Sequence, residues 1–157
     1  MGKVSKYTMT RSWANGKETE ALFVSIMEAR GATVIKSTAQ QDMKAHIDFF
    51  VNGHSVDVKG SRRLDKIWLE VTNVRGDDGW LNGEAEFIVF HFEDENCFMT
   101  FRRDDLLEFV LANVVESTNN NKEYMKWYTR SDWDRKDLIV KIRYDDIKHI
   151  KHTKINC

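Results

Sequence analysis

Cysteine is scarce: among 157 residues there are only Cys97 and Cys157, with no metal-binding spacing between or around them. That excludes a disulfide scaffold and fits a reducing compartment, with Cys97 a small apolar strand residue and Cys157 a free tail thiol. No apolar run approaches the ~18 residues of a membrane span, and the opening MGKVSKYTMTRSW lacks the apolar core of a signal peptide. The expected location is therefore the cytoplasm, with no membrane partner. The five histidines show no paired spacing for zinc. There is no G-x-x-x-x-G-K loop to cradle a phosphate and no G-x-S-x-G elbow to present a serine, so nucleotide hydrolysis and serine-hydrolase chemistry drop out, and a nucleotide cofactor with them.

What is present is globular. Hydrophobic residues make up 41% and aromatics 11%, enough for one cored domain and too short a chain for two ordinary ones. The expected division of residues 1–157 is a polar arm over 1–17, a core over 18–116 and a basic, strand-rich C-terminal extension over 117–157. The net charge of −1 conceals an uneven distribution. Residues 1–75 carry 12 Lys/Arg against 8 Asp/Glu, residues 76–120 carry 2 against 11, and residues 121–157 carry 10 against 6. Basic flanks around a carboxylate cluster suit a polyanionic partner; scattered charge on a soluble protein is the alternative.

In chain order, residues 1–17 have no periodicity and read as a loose arm tied down by Trp13. Leu22, Phe23, Ile26 and Met27 then form one stripe of a helix over 18–30, closed by Gly31, with Glu20 at the edge of the stripe and Glu28 opposite it. A short strand is expected over 32–36. Ile67, Leu69 and Val71 alternate with Trp68, Glu70 and Thr72 as another strand, and a loop with three glycines follows, carrying Arg75 and Trp80. Strands are expected over 86–92 and 97–101, a helix from Asp104 with a core stripe ending at Val114, and strands over 124–130 and 138–144. Trp127, Tyr128, Arg130, Trp133, Arg135 and Lys136 interleave aromatics with cations, which suits nucleic acid, although a hairpin packing its own Trp residues reads the same way.

The stretch His46–Lys59, HIDFFVNGHSVDVK, is the chemical centre of the chain. Asn52-Gly53 marks a tight hairpin between two alternating strands. Because strand side chains repeat every two residues, Asp57 and Lys59 point the same way, and Asp48 lies beside them on the neighbouring strand. Two carboxylates and an ammonium on strands of Val, Phe and Ile are costly to bury without a partner, and a divalent cation would offset that cost. Four Asp-x-Lys tripeptides occur, at Asp42, Asp57, Asp134 and Asp146; only the one at Asp57 sits on an apolar strand after a hairpin, and the others read as noise. A solvated strand face bearing an Asp–Lys pair is the alternative for Asp57 as well.

A helix with Glu, a strand with Asp, a hairpin, a strand with Asp-x-Lys and a further strand resembles the PD-(D/E)xK nuclease superfamily over about residues 17–101. The words HIDFFV, VDVKG, WLEVTNVRG and GWLNGEAEFIVF look like small phage-type endonuclease domains, loosely similar to junction-resolving endonucleases. Ile47 stands where the motif name has Pro; the chain has no proline at all, and that Pro is not a ligand. The resemblance implies an α/β (α+β) fold, a single restriction-endonuclease-like domain whose central mixed sheet is flanked by helices. It implies a magnesium-dependent deoxyribonuclease, with manganese able to substitute, catalysed by Asp48, Asp57, Lys59 and Glu20. The metal ligands would be Asp48, Asp57, the Val58 carbonyl and Glu20. Arg62, Arg63 and Lys66 are placed to touch flanking phosphates of DNA, and Glu70, Arg75 and Trp80 are further candidates near the site. One site per chain and two strands to cut favour a homodimer. The competing readings are a DNA-binding module on the same fold without cleavage, and an adaptor that uses the acidic middle segment.

Overall fold

The computed structural model describes residues 2–129 and 136–157, with side chains over 16–60, 62–129 and 136–157. The chain is a mixed α+β domain in which helices flank a central mixed sheet. Residues 2–29 form one helix, α1 (Gly2–Ala29), so the segment expected as a loose arm continues the first helix backwards; the side chain of Trp13, its expected anchor, lies outside the described residues. Gly31, at φ 89°, ends that helix as its position predicts.

The central sheet has the order β1-β2-β3-β5-β6-β10. Its strands are β1 (Val34–Lys36), β2 (Phe49–Val51), β3 (His54–Arg62), β5 (Phe87–Phe92), β6 (Cys97–Arg102) and β10 (His152–Asn156). Neighbours run antiparallel except β3 and β5, which are parallel. The hairpin between β2 and β3 turns on Asn52 and Gly53, both at positive φ (50° and 86°), the conformation that an Asn-Gly pair supplies for a two-residue turn. The strand β10 was not foreseen; it pairs with β6 from His152↔Phe101 to Asn156↔Cys97 and closes the edge of the sheet.

A smaller sheet has the order β4-β9-β8-β7 and is hydrogen-bonded separately from the first. It comprises β4 (Ile67–Thr72), β7 (Ser117–Thr118), β8 (Trp127–Tyr128) and β9 (Leu138–Ile142). The C-terminal third is β-rich as expected, yet it is woven into both sheets instead of being appended to a finished core. Residues 130–135, with Arg130, Trp133, Arg135 and the Asp134 tripeptide, lie outside the described residues.

Alternation explains the layering. On β3, Val56 and Val58 join Phe49, Val51, Val89 and Phe98 in a cluster capped by Phe23 of α1, whose ring meets Phe98 edge-on at 5.5 Å. On the other face of β5, Ile88 and Phe90 pack with Ile67, Leu69, Trp80, Val140 and Ile142, so the small sheet covers the side of the central sheet opposite α1. The helix α2 (Arg103–Asn113) contributes Leu106 and Val110 to that second cluster; Asp104, the expected start of the helix, sits inside its first turn. The helix α3 (Tyr144–Ile147) adds Ile147. No helix among the described residues is long and apolar enough to cross a membrane.

Candidate metal centre

The site exists because β3 is longer than its neighbour. The β2–β3 ladder ends at Phe49↔Val56, whereas β3 runs on to Arg62 paired only with β5. The first strand is shorter than its alternation predicts: Ile47 leaves the sheet to pack with Ala45 and Ala85, its N–H bonded to the carbonyl of Gln41. The gap beside Asp57–Gly60 is filled by α1 and by a π-helical turn over Gln41–Ala45, which His46 terminates in the left-handed conformation at φ 57°. Single π turns of this kind recur at functional sites.

Around this gap lies a cavity of about 280 Å³ lined by Gly16, Lys17, Glu20, Asp42, His46, Asp48, Asp57, Val58, Lys59 and Gly60. Glu20, Asp48, Asp57, Val58 and Lys59, all expected at the site, are thus brought together. Continuing the register one step past Phe49↔Val56 sets Asp48 opposite Asp57. Asp48 is 8% exposed and is locked in place: its Oδ2 accepts the Val58 N–H at 2.8 Å, while its own N–H donates to Val56 O at 2.8 Å. Asp57 is 3% exposed. Its Oδ1 lies 3.2 Å from Lys59 Nζ, and its Oδ2 is buried with no hydrogen-bond partner among the described residues. The Lys59 ammonium also sits 4.9 Å above the Trp80 ring. Glu20 enters from α1 and pairs with Lys17 at 3.5 Å. The close approach of α1 needs a glycine on β3: a Cβ at Gly60 would stand 2.9 Å from Oγ1 of the buried Thr19.

Electrostatics agree with the geometry. Burial pushes the Asp57 carboxyl from its ordinary 3.8 up to about 8, against the pull of Lys59 and with help from the negative charge of Asp48. The Asp42 carboxyl is raised as well, by burial and then by its hydrogen bond and repulsion with Asp48. Carboxyls that resist ionising together are carboxyls short of positive charge. Among the described residues no three His, Cys, Asp or Glu side chains stand in ready-made ligating geometry. The donor set nonetheless suits a hard divalent cation: the carboxylates of Glu20, Asp48 and Asp57 line one cavity, and one buried oxygen of Asp57 has no hydrogen-bond partner among the described residues.

Sequence reasoning missed Asp42, which was set aside with the uninformative Asp-x-Lys tripeptides, and His46, whose Nε2 is 3.0 Å from Asp78 O. No signal in the local sequence marks either, because the π turn that brings them to the cavity rim forms only in the folded chain. The other candidates divide. Glu70 does not reach the cluster, since β4 pairs with β9 and not with β3; it lines a separate cavity. Trp80 is core, acting on the site through Lys59. Arg75 lines an adjoining cavity of about 460 Å³ with His46 and Asp78. Arg62, expected as a phosphate contact, is half-buried: its guanidinium donates to Gly60 O at 2.7 Å, its Nε is buried with no partner among the described residues, and burial lowers its pKa against the opposing charge of Asp57. Arg63 and Lys66 are at the surface, Arg63 bridging Asp65 at 3.3 Å and Asp94 at 3.8 Å. No protein-family model, curated protein or solved structure matches the chain.

Proposed function

We propose that this chain is a metal-dependent DNA endonuclease of the PD-(D/E)xK kind, hydrolysing phosphodiester bonds at the cavity where Glu20, Asp48, Asp57 and Lys59 meet. The observation that carries the reading is Asp57, with one oxygen 3.2 Å from the Lys59 ammonium and the other buried and unsatisfied beside a second carboxylate. Asp48, Asp57, the Val58 carbonyl and Glu20 would hold magnesium, or manganese in its place. When bound, the ion polarises the phosphate and lowers the pKa of a coordinated water.

The remaining chemistry belongs to the chain. Lys59, held by Asp57 and by the face of Trp80, orients the attacking water and neutralises charge gathering on the phosphate oxygens as the new P–O bond forms and the old one breaks. Val58 fixes Asp48 through its N–H, so that carboxylate needs no reorganisation. Arg63 and Lys66, on the surface beyond Gly60, hold flanking phosphates. One such site cuts one strand, so cleavage of both calls for a second copy of the chain. The buried thiol of Cys97 and the exposed free Cys157 suit a reducing, cytoplasmic setting. A second reading, a DNA-binding module without cleavage, is favoured by the lack of preformed ligand geometry among the described residues.

The discriminating experiment incubates the protein with linear, supercoiled and four-way-junction DNA, in magnesium, manganese or chelator. Cleavage is expected in either metal, none in chelator, none for Asp57→Asn, and a loss of about 10²–10⁴ in rate for Lys59→Ala with DNA affinity changed only a few-fold. DNA bound but uncut in both metals selects the second reading, and no DNA binding removes both.

A further inference from the structure

The outer face of the small sheet is built unlike an ordinary solvated surface. On β4, Ile67, Leu69 and Val71 turn inward, which leaves Trp68 and Glu70 outward; the register sets Trp68 beside Lys141 and Glu70 beside Ile139, and Ile139 beside Tyr128. Trp68 and Tyr128 have ring centroids 5.8 Å apart with planes tilted by 52°. Together with Arg62, Glu70, Asn121 and Trp80 they line a cavity of about 570 Å³, within the ~300–1,000 Å³ common for small-ligand sites. Cations pack on these rings: the buried Lys141, whose ammonium donates to the Asn121 carbonyl, lies 5.6 Å from the Trp68 ring and 4.4 Å from Tyr124, and the guanidinium of the exposed Arg143 lies 3.4 Å from the Tyr124 centroid.

This cavity adjoins the carboxylate cavity through two contacts. Trp80 lines the one, and Lys59, seated on its ring, lines the other. Arg62 lines the one, and Gly60, whose carbonyl accepts the Arg62 guanidinium, lines the other. We propose that the cavity lined by Trp68 and Tyr128 receives an unpaired nucleobase of a DNA strand whose phosphate lies at the carboxylate site. The aromatic rings offer stacking surface to any base. Glu70 repels a phosphate but accepts hydrogen bonds from a base's amino or ring N–H, so the carboxylate selects the base end of a nucleotide for this cavity. A base inside a duplex has both faces stacked and its pairing edge occupied, so the strand that enters is single or locally opened. The exposed Arg143 at the edge holds the adjoining backbone, while Lys141, buried and donating to the Asn121 carbonyl, fixes the rim of the cavity.

The placement of a scissile phosphate rests on the nuclease reading; base capture does not, and its test needs no cleavage. The full-length protein in chelator is titrated into a fluorescently labelled single-stranded DNA 12-mer and, separately, the matching duplex, and anisotropy is followed. Single-strand binding tighter than duplex binding is expected, with Trp68→Ala and Tyr128→Ala each weakening the single strand about tenfold or more and the duplex hardly at all, and Trp68→Phe restoring most of the loss. The thermal transition of each variant establishes that it is folded; should Trp68→Ala not fold, Tyr128→Ala and Trp68→Phe carry the comparison. Equal losses for both DNAs, or none for either, overturn the proposal. Wild-type protein that binds the single strand in this pattern yet cuts nothing in magnesium or manganese would remove the nuclease reading and leave the base site standing.

Discussion

A single residue, Asp57, concentrates the physical conflict in this molecule. In the unfolded chain its carboxyl ionises near the ordinary 3.8, and in the folded protein near 8, because the side chain is buried and faces another carboxylate. Between those values the folded state keeps a proton that the unfolded state has released. Stability contributed by this group is therefore whole below about pH 4 and falls as pH rises toward 8, by up to about 1.4 kcal/mol per pH unit for one proton. The expected result in chelator is a thermal transition that drops from pH 5 to pH 8, with a slope that Asp57→Asn flattens. Magnesium added at pH 8 should recover stability in the wild type and not in the variant, since a cation replaces the proton only where the carboxylate is present. A wild-type slope unchanged by Asp57→Asn would show that the conflict lies elsewhere.

At the scale of elements, the packing of α1 on β3 decides whether Glu20 reaches the cavity. The two approach at Gly60, where an added Cβ would meet Thr19 Oγ1 at 2.9 Å and its Cγ2 at 3.3 Å. Thr19 is β-branched and buried, so it yields little. Gly60→Ala is expected to lower stability by about 1–3 kcal/mol, read as a reduced denaturation midpoint, and to weaken magnesium binding by displacing Glu20. Adding Thr19→Ala should restore part of both, because it removes two of the three atoms that the new methyl meets. If Gly60→Ala melts and binds metal like the wild type, the helix is not held at this point. The length of β3 beyond β2 belongs to the same scale, since without that overrun a paired strand would occupy the gap beside Asp57.

Across the whole molecule, charge is segregated along the sequence, and folding places Arg63 and Lys66 at the surface beyond the site while half-burying Arg62. Arg63→Ala combined with Lys66→Ala should weaken duplex binding irrespective of sequence and reduce the slope of log K against log salt by up to about two units. Measurement of affinity between low and moderate salt decides this, and an unchanged slope would move the DNA track to the cations around Tyr124. The two sheets share one core, with β4 from the first half of the chain pairing with β9 from the last quarter. The C-terminal residues are thereby needed for the face opposite α1.

Period-two alternation, the Asn-Gly turn and the helical stripe ending at Gly31 are local patterns, and through them the sequence by itself determined most strands, the hairpin and the shared direction of Asp57 and Lys59. Burial followed from the same patterns, since Val56, Val58 and Phe23 had to face a common interior. What tertiary structure alone decided is which strands are neighbours and where each ends. Pairing is nonlocal: nothing within Ile67–Thr72 states that its partner is Leu138–Ile142 instead of the strand of Asp57, so Glu70 looked closer to the site than it is. The placement of Asp42 and His46 on the cavity rim depends on a π-helical turn beside a gap that opens only when β3 outruns β2. Arg62 was legible as basic but not as half-buried, because the residues that share its cavity, Trp68, Glu70 and Trp80, come from later in the chain.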